Sequence, residues 1–503
     1  LHIRKVNADD CWDFTTGSSE ILMTNFESVD WKHPDIAPLV WNNLAEDADG
    51  DGRTIVFSPM EDEWVFDTGD INGVDEDSNG YADDLIGWDF IAFEEGDLEP
   101  AEMHDLEDYY DEDMDPMDDV GAIGHGTHVA GTMIAGSNNE IGIAGINWHG
   151  KLAVLRGGYH YYDSHTGLTG THPRSPSLAA YIYAKLMDFR VVNMSYGGYS
   201  YSGLVSAALR ELCNNNTFIV AAGGNDSVSD LHYPAGYIGV EGVAATDEHD
   251  VHTDFTCYGA RIDICAPGEA IFAPVPRYDE GSLRSRPYEA KDGTSMASPV
   301  VAGCGALLWS EYPDSSAVFI VERLEETAAP MPDDPMWVAD SLGAGRVDVY
   351  RAAFLYVYPE IAVDTIYWYA SPTDPDGRIG VGDTGFIVIE YTSNSEWMDP
   401  GDVTLELTAL YPEGYEGSID YLNTPLALGH YAAGDDIDNI AVPIRFMPNA
   451  GLDEGRDIEF NVRLESETGY FIDRQVTIPI DYPTLLLYDR DAGTGDHPWL
   501  EAG

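Results

Sequence analysis

Short apolar runs alternate with helical stretches through the first two-thirds of the chain, and no other feature narrows the possible folds as far. Leu152 to Leu155, Val191 to Met194 and Phe218 to Ala222 have the character of strands, while Ser177 to Met187 and Gly203 to Leu212 between them have that of helices. Strand–helix–strand units of this kind build an α/β fold, a mostly parallel sheet with helices on both faces. From about residue 356 the period changes. Val403, Leu405, Leu407 and Ala409 alternate with Thr404, Glu406 and Thr408, and Ile458, Phe460, Val462 and Leu464 alternate with polar neighbours in the same way. A period of two marks half-buried antiparallel strands, so residues 356–483 are expected to form an all-β sandwich of Ig-like size. Residues 1–355 then make one large domain, and residues 484–503, with Leu485-Leu486-Leu487 near their start, the beginning of a truncated further segment.

Charge excludes some partners. Ninety acidic residues against twenty-four basic ones leave a net charge of −66. That sign is wrong for a nucleic-acid binder or for a protein that docks on an anionic membrane. It suits a salty medium or a chain that holds several hard cations. No apolar run approaches the ~20 residues of a membrane span, and a start at Leu1 without a signal peptide is expected of a mature, secreted chain. The five cysteines are Cys11, Cys213, Cys257, Cys265 and Cys304. Cys257 and Cys265 flank a strand-like stretch and are the candidate disulfide pair, although five buried thiols is the simpler expectation.

Two segments carry chemistry. In Gly124-His125-Gly126-Thr127-His128-Val129-Ala130-Gly131-Thr132 a histidine opens a helix of small residues, and in Gly293-Thr294-Ser295-Met296-Ala297-Ser298-Pro299 a serine does so. A serine oxygen near unpaired helix N–H groups lies where developing negative charge is favoured. A nucleophile beside a general base fits both.

These segments resemble the signatures of subtilisin-like serine peptidases, the subtilase family. Val192-Asn193-Met194-Ser195-Tyr196-Gly197-Gly198, Ala222-Gly223-Gly224-Asn225, Tyr233-Pro234-Ala235, Ala266-Pro267-Gly268 and Gly345-Arg346-Val347-Asp348 extend the likeness over residues 1 to about 355. The resemblance implies a subtilisin-like fold and a serine endopeptidase acting on polypeptides. It implies Ser295 as nucleophile, His125 as general base and Asn225 as oxyanion donor. It also implies that Ser195, Tyr196 and Gly197 pair with the substrate backbone and, with Ala222, Gly223 and Gly224, wall the first specificity pocket. His128 and Cys304 are expected to be structural.

One member departs from the family pattern. An aspartate is expected a few residues before Asp30-Trp31-Lys32-His33-Pro34-Asp35, and Asn25-Phe26-Glu27-Ser28 stands there instead. Counting back from His33 puts Phe26 in the slot, whereas counting forward from Thr15-Thr16-Gly17 puts Glu27 there. Glu27 is the candidate replacement, since a carboxylate beside the base holds its tautomer. If Phe26 fills the slot, the chain is a weakened or inactive scaffold that serves as a structural or interaction module. In either case the sandwich is a candidate for self-assembly or surface attachment.

Asp75-Glu76-Asp77-Ser78-Asn79-Gly80-Tyr81-Ala82-Asp83-Asp84 spaces oxygen ligands at alternate positions around a glycine turn, as a structural Ca²⁺ loop does. Asp75, Asp77, Asn79, Asp83 and Asp84 are its candidate ligands. Asp47, Asp49 and Asp51 begin a second such loop, and Asp115 to Asp119 a weaker third.

Overall fold

The computed structural model describes residues 2–94, 98–99, 101–339, 341–355, 361–370, 379–393, 401–410, 417–432, 435–449, 457–467, 471–479 and 487–488. It divides into two units, Leu1–Ala353 and Phe354–Gly503.

The first unit is built on seven parallel strands: β1 (Leu22–Asn25), β2 (Gly87–Asp89), β3 (Lys151–Arg156), β4 (Val191–Met194), β5 (Phe218–Ala222), β6 (Glu241–Thr246) and β7 (Ile264–Pro267). Their spatial order is β7-β6-β5-β4-β1-β3-β2, so the order reverses at β1. In open α/β sheets the strand ends at such a reversal leave a crevice for ligands. Among the helices that flank this sheet are α1 (His125–Ile134), α2 (Arg174–Leu186), α3 (Gly203–Asn214) and α4 (Thr294–Glu311).

Alternation along the strands divides the helices between two faces. Ala153 and Leu155 of β3, Val192 and Met194 of β4, and Ile219 and Ala221 of β5 pack with Ala180, Tyr183 and Ala184 of α2 and with Leu209 and Leu212 of α3. Phe218 faces the other way, onto α4, where a side chain on Gly305 would lie 2.2 Å from its ring. Fifteen of the eighteen α4 residues are buried, which explains why its sequence is apolar or small all round.

The second unit has two antiparallel sheets. One contains Ile361–Ala370, Gly385–Ser393 and Ile444–Pro448; the other orders Leu426–Tyr431, Gly401–Leu410, Asp457–Ser466 and Phe471–Pro479. Leu405, Leu407, Ile387, Phe446, Phe460 and Val462 fill the core between them. Of residues 484–503 only Leu487–Tyr488 are described, paired with Ile361–Ala370; the rest of the expected further segment lies outside the described residues. The Cys257–Cys265 pair does not form. All five thiols are free, and Cys213 alone is not fully buried.

Candidate active site

The end of β1 decides which residue meets His125. Strand side chains alternate between faces, and Asn25 points toward α1, donating from Nδ2 to the Gly126 carbonyl at 2.9 Å. Phe26 points to the opposite face, fully buried and edge-on to Tyr181 at 4.9 Å between centroids. Glu27 returns to the α1 side, where its Oε2 lies 2.5 Å from His125 Nδ1. Of the two residues the sequence left open, the structure brings Glu27 to the imidazole and puts Phe26 in the core. Burial raises the pKa of Glu27, but the charge and hydrogen bond of His125 outweigh it and hold the carboxyl below its usual range.

Ser295 is the second residue of α4, and a proline sets its surroundings. Pro299 has no N–H to give to the carbonyl four residues back, and that carbonyl belongs to Ser295. The Ser195 hydroxyl takes the vacancy at 2.8 Å, itself accepting from Asn193 Nδ2 at 2.9 Å. Ser295 Oγ in turn donates to the Ser195 carbonyl at 2.9 Å. The strand after β4 and the start of α4 are thereby tied at both serines.

Two donors converge beside Ser295. The Thr294 N–H can only donate, and it donates to Asn225 Oδ1 at 2.9 Å, with the Thr294 hydroxyl adding 3.0 Å. This fixes the amide so that Nδ2 is the free end. The Ser295 N–H, in the first turn of α4, has no intrahelical acceptor. A point 1 Cβ out from Gly293 would lie 3.6 Å from Ser295 N and 3.7 Å from Asn225 Nδ2, so both donors border one space.

Glu27, His125, Asn225 and Ser295 line one cleft of about 730 Å³ with Ser195, Tyr196 and Gly197. The Tyr159–Thr171 hairpin adds a wall that sequence reading missed. His172, which follows it, stacks on Tyr196 at 3.7 Å and is lowered by burial to about 4, so it is neutral. Ala222, Gly223 and Gly224, expected to wall a pocket, do not line the cleft. His128 is buried with Nε2 against the Ile271 carbonyl at 2.9 Å, in keeping with a structural role.

The model of the subtilase family matches residues 27–350. The chain belongs to the subtilase family. Subtilisin BL of Lederbergia lenta is 36% identical over 229 residues, which are 46% of this chain and 77% of the relative. An alkaline protease of Alkalihalobacillus alcalophilus is 35% identical over 46% of this chain and 54% of its own length, so the chain spans about half of that relative. A solved structure described as proteases from Pseudoalteromonas arctica PAMC 21717 matches with a TM-score of 0.51 at 23% identity, over 69% of this chain and 93% of that one; that likeness speaks for the fold.

The acidic loops of this subtilase gather only in part. Asp77 and Asp84 meet Glu46, a residue the sequence pattern did not single out, with carboxylate oxygens within 4.8 Å of one another. Asn79 presents its NH₂ to Asp77 and Asp84, because its oxygen already accepts the Tyr81 N–H at 2.8 Å. Asp75 accepts from Asn79 and Gly80, and Asp83 from Asn72 and Gly73, each on backbone N–H. Burial pushes Glu46 up to about 7 and Asp84 up to about 6, so the group is costly to charge without a cation. Three oxygen donors of this kind fit a hard divalent ion. Asp47, Asp49 and Asp51 form a second group, beside Asp70, whose fully buried Oδ2 has no partner. Asp115 to Asp119 form no such group among the described residues.

Proposed function

We propose that this subtilase hydrolyses peptide bonds through an acyl-enzyme on Ser295. The Ser295 oxygen attacks the scissile carbonyl carbon as its proton passes to His125 Nε2. The carbonyl oxygen, now carrying the negative charge, is received by the Ser295 N–H and Asn225 Nδ2. His125 returns the proton to the leaving amine, and water repeats the sequence on the acyl-enzyme to release the acid and restore Ser295. Glu27 accepts a hydrogen bond from Nδ1–H throughout, which keeps the Nε2 lone pair available and steadies the imidazolium. Ser195, Tyr196 and Gly197 hold the substrate backbone.

The observation that carries this reading is the 2.5 Å contact between Glu27 and His125, because it supplies the carboxylate that the sequence pattern lacked. A second reading, a weakened or silent scaffold, draws on the Ser295 hydroxyl, which donates to Ser195 rather than to His125. Apo hydrogen bonds of this type often tighten only with substrate. Turnover of internally quenched peptides, with organofluorophosphonate labelling of Ser295, tests the two. Turnover and labelling that vanish in Ser295→Ala support the peptidase; neither in the parent supports the scaffold.

Calcium is the cofactor proposed for Glu46, Asp77 and Asp84, and for Asp47, Asp49 and Asp51 with Asp70, as a structural ion. The acid-rich composition supports a secreted protein in a salty medium. No helix among the described residues is long and apolar enough to cross a membrane. The sandwich is proposed as an attachment or assembly module.

A further inference from the structure

The slot between Ser195–Gly197 and Ala222–Gly224 is not empty. The His232 ring lies in it: a side chain on Gly197 would come 2.3 Å from His232 Cε1, and one on Gly224 would come 3.1 Å from His232 Cδ2. The imidazole thus lies against both glycines, with the Tyr233 carbonyl equally near Gly197 and Cys257 Sγ equally near Gly224. The ring is anchored, since Nδ1 lies 3.2 Å from the Ala222 carbonyl, which can only accept. Tyr199 packs edge-on against it at 5.5 Å, and Tyr199 is itself held by a hydroxyl bond to Asp226 at 2.5 Å. The main-chain pair between Gly198 and Tyr233, at 2.8 and 2.7 Å, pins the backbone on which His232 sits.

We infer that His232 closes the first specificity pocket, so that this subtilase takes glycine, alanine or a residue of similar size immediately before the scissile bond and rejects large apolar ones. The inference rests on the proposed peptidase reading and on those two segments as the pocket walls. Displacing His232 would break its bond to Ala222 and its packing on Tyr199, and a phenylalanine outside the slot would lose the burial that makes large side chains bind. Discrimination on that scale is about ten- to hundredfold.

The test uses quenched peptides that differ only in alanine or phenylalanine before the cleaved bond. The parent should favour alanine by about tenfold or more in kcat/KM, and His232→Gly should reverse the order, with His232→Ala as a second variant that keeps more of the local backbone restraint. Titration of the same peptides into Ser295→Ala and Ser295→Ala/His232→Gly, followed by calorimetry, measures the slot without turnover. Equal use of alanine and phenylalanine by the parent, or no gain for phenylalanine on removing the ring, would overturn the inference while leaving the peptidase reading intact. A parent that hydrolyses neither peptide counts against the peptidase reading, and the titration then decides the pocket by itself.

Discussion

Replacing Glu27 by glutamine removes one charge from the heart of the site and changes little else in shape. In the transition state the imidazole is protonated, and Glu27 then faces a full positive charge. Their side chains are only 10% and 28% exposed. With charge centres about 4 Å apart and an effective dielectric of ~20, the attraction is ~4 kcal/mol. Lost entirely, that slows acylation about a thousandfold, at ~1.4 kcal/mol per decade. A glutamine that turns its NH₂ toward Nδ1 adds a further loss, because it leaves the remaining ring proton on Nε2, where the serine proton must go. Replacement of a triad carboxylate by its amide costs ~10⁴-fold in serine peptidases generally, so a drop of roughly 10³ to 10⁴ is expected. The melting temperature should fall far less than the activity, since the amide keeps the shape of the side chain and relieves the buried, unpartnered Glu27 Oε1 of its charge, offsetting part of the lost attraction. Quenched-peptide kcat/KM and the melting temperature measure the two quantities on the same sample. Turnover by Glu27→Gln within threefold of the parent would refute the role of the carboxylate, and so would a loss of activity that only tracks unfolding.

Asn225→Ala should lower kcat by roughly 10²- to 10³-fold with little change in KM, which steady-state kinetics resolves. Gly126→Ala should destabilise by about 1–3 kcal/mol in chemical denaturation and abolish turnover, because the new methyl would sit 2.3 Å from the Ser28 carbonyl and 2.6 Å from Glu27 Cβ. Chelation should lower the parent's melting temperature, and Glu46→Gln should remove much of that sensitivity; an identical shift in both proteins would dissociate Glu46 from the ion. The folded-state pKa of Glu27 is below its ordinary 4.5, so its charge stabilises the fold above that value and the contribution is lost as pH falls through the depressed one. The melting temperatures of parent and Glu27→Gln should therefore approach each other as pH is lowered below about 4.5.

Most of the scaffold was legible from period alone. Val191 to Met194 and Phe218 to Ala222 became parallel strands at the expected residues, and Val403 to Ala409 a strand with alternate burial. The small-residue helices at His125 and Ser295 were equally plain, because close packing leaves few residue types that fit. The cation loops were half legible. Spacing identifies turns that carry oxygens, but the same carboxylates also cap backbone N–H groups, as Asp75 and Asp83 do, and Glu46 comes from a different turn. His172 and His232 gave no sequence signal, since each acts through a packing partner distant in the chain, Tyr196 or Gly197.

The choice between Phe26 and Glu27 shows where residue counting runs out and local physics takes over. The two counts disagree by one position, and one position on a strand is the difference between opposite faces. The chain's own pattern breaks the tie, because Leu22 and Phe26 are apolar at even spacing and pack on the α2 face, which leaves Asn25 and Glu27 for the α1 face. A glutamate has one methylene more than an aspartate and needs room for it on the way to the same ring nitrogen. Gly126 provides it. With no side chain there, the Glu27 Cβ comes within 2.6 Å of where the Gly126 Cβ would be, and the longer carboxylate still reaches His125 Nδ1. By the same geometry Glu27→Asp should not restore a better triad: the shorter side chain falls short of Nδ1 while its backbone stays fixed by the Asn25–Gly126 bond. Peptide turnover by Glu27→Asp should lie well below the parent's, and activity equal to or above it would show that the strand end is free to move and that the fit of glutamate to this site is incidental.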